Sequence, residues 1–256
     1  VTSPTAVALA CAREVIEVDR SIAEMSTERV HWRRFVVAPS GAPPALRILR
    51  RARLEGQVIE GPLGRCVIDL QGDALAVQVA DGPFLGELVL RLAWYLVTAR
   101  LGGVLLHAAA IESDGAALVA CGKSGDGKST LSRLCRGEGL RLLTDEVVQV
   151  FPDGRVGGTP FRSDEDNDGS PGLAPARFFC ALRKAGDEAL EPLSATEAVQ
   201  LALGQCFTID QVAVPRVETR RRLLAFLGAV QLRTLAFRKD PEAGAFVRRV
   251  LASDAR

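Results

Sequence analysis

Eight residues near the middle of the chain, Gly122-Lys123-Ser124-Gly125-Asp126-Gly127-Lys128-Ser129, fit the spacing G-x-x-x-x-G-K-S/T. A triphosphate carries several negative charges, so a loop that wraps one must turn bare backbone N–H groups inward. Glycines at 122, 125 and 127 permit that close approach and the unusual dihedrals it needs. A helix predicted to begin at Lys128 adds its positive end. In such a loop Lys128 reaches the β- and γ-phosphates and the Ser129 hydroxyl is a ligand for Mg²⁺. Ser124, Asp126 and Thr130 belong to the same nucleotide-binding stretch, and the expected ligands are ATP and Mg²⁺.

A second feature fits the first. Mg²⁺ beside such a loop usually needs a carboxylate at the end of a neighbouring apolar strand. Leu140-Arg141-Leu142-Leu143-Thr144 reads as that strand and ends on two adjacent acids, Asp145 and Glu146. A lone histidine, His107, sits in the apolar run Leu105 to Ala109, where by itself it reads more readily as a core residue than as a catalytic one. Only four of the 32 basic residues are lysines (Lys123, Lys128, Lys184 and Lys239), and two of them fall in the glycine-rich loop. In a chain so biased toward arginine, a lysine marks a position to examine.

The bulk numbers bound the rest. The chain has 256 residues, 48% of them hydrophobic, enough for a large core in one α/β unit or a core with an appendage. A formal net charge of +1 argues against a general affinity for nucleic acid. Six scattered cysteines, two histidines and no C-x-x-C pair argue against a zinc site and for reduced, buried thiols in a cytoplasmic protein. No apolar run approaches the length of a membrane span, and no targeting segment stands out.

The elements that must position these residues follow from periodicity. Residues 8 to 25 are predicted as an amphipathic helix. Short β-rich runs at Trp32 to Val37, Leu46 to Leu49, Val58 to Ile59, Cys66 to Leu70 and Leu75 to Val79 predict a meander. Pro83 to Leu101 reads as a buried helix. Val104 to Ile111 and Ala116 to Cys121 read as strands joined by Ser113-Asp114-Gly115, a hairpin turn. A helix from Lys128 to about Arg136 and the strand Leu140 to Leu143 follow, and Val147 to Phe151 continues extended. Residues 157 to 176, rich in Gly, Pro, Asp and Ser, read as a flexible loop. Arg177 to Leu182 and Gln231 to Phe237 read as strands, and Ser194 to Gly204, Val217 to Ala229 and Pro241 to Leu251 as helices. Ser194-x-x-Glu197 is a capping box. The expected organisation is an N-terminal helix and β-rich extension over residues 1–80, packed on an α/β core over residues 81–256.

Leu106-His107, the hairpin, Gly122 to Ser129 and Thr144-Asp145-Glu146 together resemble the core of the bacterial HPr kinase/phosphorylase superfamily. The resemblance covers roughly Gly102 to Pro160. It implies an α/β fold of the HPr kinase and phosphoenolpyruvate carboxykinase type, with the N-terminal meander as an extension. It implies that Asp145 takes the proton of an acceptor serine hydroxyl, that Glu146 helps Ser129 and Asp145 hold Mg²⁺, and that His107 lies near the base and the transferred phosphate. Thr130 stands where that family commonly has glutamate, and Glu146 where its second acid is usually aspartate. The N-terminal meander and short core are more similar to shorter relatives that act on other acceptors, including ribosomally made peptides phosphorylated on serine.

The resulting expectation is an ATP- and Mg²⁺-dependent phosphotransferase acting on a hydroxyl, a serine of a small protein or peptide. The alternatives are a small-metabolite kinase and a nucleotide-gated binding module without transfer. No nucleic-acid or membrane partner is expected, and a homo-oligomer is compatible with the chain. Ser163 to Gly169 begins like a calcium loop but has Pro175 at the twelfth position, where a bidentate glutamate is needed, so a solvated loop or acceptor-binding lid is the expectation. Arg162 is a candidate for contacting the transferred phosphoryl group. Arg220-Arg221-Arg222 reads as a solvated helix face.

Overall fold

In the N-terminal part, larger apolar residues recurring at every second position build a sheet where a helix was predicted. In this computed structural model, which describes residues 6–26, 30–38, 41–61, 63–79, 83–163, 168–209 and 214–253, β1 (Ala6–Cys11) and β2 (Glu14–Asp19) form an antiparallel hairpin. The predicted helix over 8–25 is thereby corrected. Val7, Leu9 and Cys11 on β1 and Ile16 and Val18 on β2 face the core at a period of two, as strands require. The turn carries no glycine and is made by Ala12 at φ 55°. Only the end of the predicted segment is helical: α1 (Arg20–Glu24), capped by Asp19, which accepts a hydrogen bond from the Ser21 amide.

The predicted strand at Trp32 to Val37 is instead a 3₁₀ turn over Trp32–Phe35. The strands β3 (Leu46–Arg50), β4 (Gln57–Gly61), β5 (Gly64–Gln71) and β6 (Ala74–Gln78) complete a six-stranded mixed sheet of order β1-β2-β3-β6-β5-β4. Its apolar face packs on α2 (Pro83–Arg100), which is buried around most of its circumference. Trp94 of α2 stands edge-on to Phe35 and Phe161, with ring centroids 6.1 and 5.7 Å away.

The second sheet starts with β7 (Val104–Leu106), β8 (Ala108–Ser113) and β9 (Ala116–Cys121). The single strand predicted over 104–111 is broken at His107, whose N–H goes to the Gln205 carbonyl instead of a ladder partner. The β8–β9 hairpin closes through Asp114 and Gly115, both at positive φ, the two-residue turn that matches strand twist. Then come α3 (Lys128–Gly137), β10 (Arg141–Thr144), β11 (Val148–Val150), β12 (Arg155–Gly157), β13 (Leu173–Lys184), β14 (Ala189–Pro192), α4 (Ala195–Gly204), β15 (Cys206–Phe207), α5 (Arg216–Gly228), β16 (Gln231–Phe237) and α6 (Glu242–Ala252). The strand order is β10-β8-β9-β13-β12-β11-β7-β15, with β16 parallel to β13 and β14 beyond it.

Successive residues of β8 and β9 point to opposite faces. Ala109, Ile111, Leu118 and Ala120 pack under α3 and α6, whereas Ala108, Ala110, Ala117 and Val119 pack toward α4 and α5. Three layers result, and the fold is α/β, with two mixed sheets and six helices among the described residues. The capping box forms at α4 as predicted, Ser194 and Glu197 each accepting from the other's amide.

The described part of the predicted flexible loop 157–176 is closely packed. Thr159 and Phe161 are fully buried. The glycines are there for close approach: a Cβ on Gly158 would meet the Ser170 carbonyl at 1.9 Å, and one on Gly169 the Leu143 carbonyl at 2.6 Å. Of the calcium-like run, Asp164, Glu165, Asp166 and Asn167 lie outside the described residues. No described helix is long and apolar enough to cross a membrane.

Candidate functional site

Sheet topology alone gathers the predicted residues at one edge. The strand β8 runs antiparallel to both β9 and β10, so the ends of β9 and β10 emerge where β8 begins. The glycine-rich loop follows β9, Asp145 and Glu146 follow β10, and His107 precedes β8 between them. The end of β16 reaches the same edge through its parallel pairing with β13, and brings Lys239. A register shift between Leu142 and Thr144 breaks the ladder next to the acid pair, where such irregularities re-aim a side chain.

The loop has the conformation its glycines were expected to allow. Gly125 and Gly127 lie at φ 88° and 105°, in the left-handed region. A Cβ at Gly127 would also meet the Phe237 ring at 2.9 Å. The Asp126 carboxylate accepts the Lys123 amide at 2.6 Å, so Asp126 shapes the loop from within. Gly127 is the N-cap of α3 and supplies no side-chain cap, leaving the first amides of the helix directed at the loop. Lys128, 7% exposed, donates to the Gly122 carbonyl at 2.8 Å and the Lys123 carbonyl at 3.2 Å. Burial pulls its pKa below the ordinary lysine value.

Asp145 is fully buried. One carboxylate oxygen accepts the Ser163 amide at 3.0 Å and the other the Ser163 hydroxyl at 2.7 Å. That hydroxyl is also 2.6 Å from the Ser129 hydroxyl. Two of the three residues predicted as metal ligands, Ser129 and Asp145, therefore meet on one oxygen atom.

Glu146 turns the other way, into a buried network. Arg91 bonds Glu146 at 2.8 Å and Glu87 at 2.7 Å while its guanidinium lies over the Phe161 ring at 4.5 Å. Burial raises the Glu146 pKa and Arg91 opposes the rise. One Glu146 oxygen, Oε2, is buried with no hydrogen-bond partner. Ser129 Oγ and the Asp145 carboxylate, which converge on the Ser163 hydroxyl, are hard oxygen donors of the kind Mg²⁺ takes; Glu146, turned toward Arg91, is not brought to that point. Among the described residues there is no group of three or more His, Cys, Asp and Glu side chains placed to hold a metal ion.

The His107 ring is held by the Glu146 carbonyl, and burial together with nearby Lys128 lowers its pKa. His107, Ser124, Lys128, Ser129, Ser163 and Lys239 line one open cavity of about 350 Å³, with Gly125, Gly127 and Thr130. A larger cavity, about 670 Å³, opens at an end of the N-terminal sheet beside Arg50, Arg51 and Arg65, and none of the predicted site residues lines it. The smaller cavity is the one that the glycine-rich loop and His107 line.

Two residues of this cavity were missed in the sequence, Ser163 and Lys239. Scarcity of lysine was the available signal for Lys239. Ser163 had none, because its place depends on the packing of residues 158–163 against β10. Arg162 pairs with Asp168 at 2.6 Å and is buried. In the basic run, Arg221 and Arg222 pair with Glu218, and Arg222 also donates to the Ala99 carbonyl at the end of α2. No family model matches the chain, and no curated protein matches it.

Proposed function

We propose that the chain is an ATP- and Mg²⁺-dependent phosphotransferase that moves the γ-phosphoryl group to a serine hydroxyl of a small protein or peptide. On this reading the α/β unit is a phosphate-binding-loop core of the HPr kinase and phosphoenolpyruvate carboxykinase type. One observation carries it: the Asp145 carboxylate accepts a serine hydroxyl that also touches Ser129 of the glycine-rich loop.

A serine hydroxyl is a weak nucleophile until a base takes its proton as the new bond forms. Asp145 does this, held at hydrogen-bonding distance from such a hydroxyl. Lys128 exchanges the Gly122 and Lys123 carbonyls for phosphate oxygens, and the loop amides with the start of α3 hold the remaining charge. His107, whose cation burial disfavours, lines the same cavity. Ser129 and Asp145 would hold Mg²⁺, which, when bound, spreads the negative charge of the β- and γ-phosphates.

The test is transfer of labelled γ-phosphate from ATP into a fractionated cell lysate by the wild type and by Asp145→Asn. Label in a protein or peptide fraction that disappears with Asp145→Asn is the expected result. Label confined to metabolites would move the acceptor to a small molecule. Equal labelling by the variant would remove Asp145 as the base.

A further inference from the structure

The Ser163 hydroxyl sits between the Asp145 carboxylate and the glycine-rich loop. Its hydroxyl donates to one Asp145 oxygen at 2.7 Å while its own amide donates to the other at 3.0 Å, so both the residue and its side chain are docked on the base. The same hydroxyl lies 2.6 Å from Ser129, at the phosphate end of the loop, and lines the cavity with Lys128 and Lys239. The residue is exposed, at the open side of that cavity. Anchoring the segment does not require this arrangement. Phe161 is already buried against Trp94, and Arg162 is paired with Asp168.

We propose that Ser163 is itself an acceptor, and that the chain transfers the γ-phosphoryl of a nucleoside triphosphate to its own Ser163. This rests on the phosphotransferase reading above. The Ser163 Oγ–P bond forms as the bond from the γ-phosphorus to the β–γ bridging oxygen breaks. The nucleoside diphosphate leaves with that electron pair, and the hydroxyl proton passes to Asp145. The product is a phosphoserine of charge about −1.5 to −2 beside Lys128 and Lys239. It stands where an incoming acceptor would approach Asp145, so the modification limits itself to one group at this position and holds back transfer to other acceptors.

The purified chain is incubated with labelled ATP and Mg²⁺, the label is located by peptide mass spectrometry, and ATP binding is measured by calorimetry on the same preparations. The expected result is label on Ser163, accumulating with a rate constant unchanged on dilution of the protein. Label is absent from Ser163→Ala, and absent from Asp145→Asn even though that variant still binds ATP. ATP binding without label on Ser163, with or without release of ADP, would overturn self-transfer and leave the nucleotide site standing. A rate constant that falls on dilution would overturn transfer within one chain. Absence of ATP binding by the wild type would overturn this inference together with the reading it rests on.

Discussion

At the scale of single residues, charge and burial set what each group can do. Burial and Lys128 hold His107 below its ordinary pKa of 6.5, and burial with Arg162 does the same for His31. As pH falls through 6.5 the unfolded chain takes up protons that the folded chain refuses, so both histidines remove stability on the acid side. Glu146, whose pKa burial raises, acts in the opposite sense above pH 4.5. Comparison of His107→Gln with wild type isolates the histidine: the drop in Tm from about pH 7 to about pH 5.5 should be smaller in the variant. An equal drop would show that His107 is not held uncharged. The residues of Gly122 to Ser129 were legible in the sequence because their chemistry is contiguous. Asp145 was legible because an acid pair ended an apolar run. Ser163 was not, since its meeting with Asp145 joins positions 18 residues apart through a fold no local pattern encodes.

At the scale of elements, α2 supports the site more than its apolar sequence suggests. Arg91 is buried between Glu87, one turn away, and Glu146, beyond β10, and covers the Phe161 ring. Removing one member of a buried ion network leaves the others uncompensated and costs about 3–5 kcal/mol. Arg91→Ala should lower unfolding stability by roughly that amount and reduce the proposed phosphoryl transfer through displacement of Glu146 and Phe161. Denaturant titration checks the first effect, and a loss below about 1 kcal/mol, the range of an exposed pair, would contradict the network's importance. Helices α2 to α6 and most strands were legible from periodicity and caps. The hairpin β1–β2 was not. Leu9, Val15, Ile16 and Ile22 fit a helical stripe by number, and the turn at Ala12 lacks the glycine or asparagine that marks positive φ. The β-branched run Val15, Ile16 and Val18 prevailed because pairing with β1 and β3 buries Ile16 and Val18 on one face of the sheet.

At the scale of the whole molecule, the N-terminal sheet and the second sheet meet through one core cluster that includes α2, Phe161, Leu105 and Val147. Polar contacts cross the same junction. The His31 amide donates to the Pro160 carbonyl at 2.8 Å, and His31 and Arg34 both contact Asp168. The N-terminal extension thus braces the backbone on either side of Phe161, two residues before Ser163. That bracing was invisible in the sequence, where residues 157–176 read as flexible; glycine there serves close packing against β10 instead. The account stands first on the glycine-rich loop as a triphosphate site. Calorimetric titration of the wild type and Lys128→Ala with ATP in Mg²⁺ tests it most directly. Wild type should bind, and Lys128→Ala should bind at least about tenfold more weakly, ~1.4 kcal/mol. Equal affinity in the two proteins, or no binding by the wild type, would contradict it.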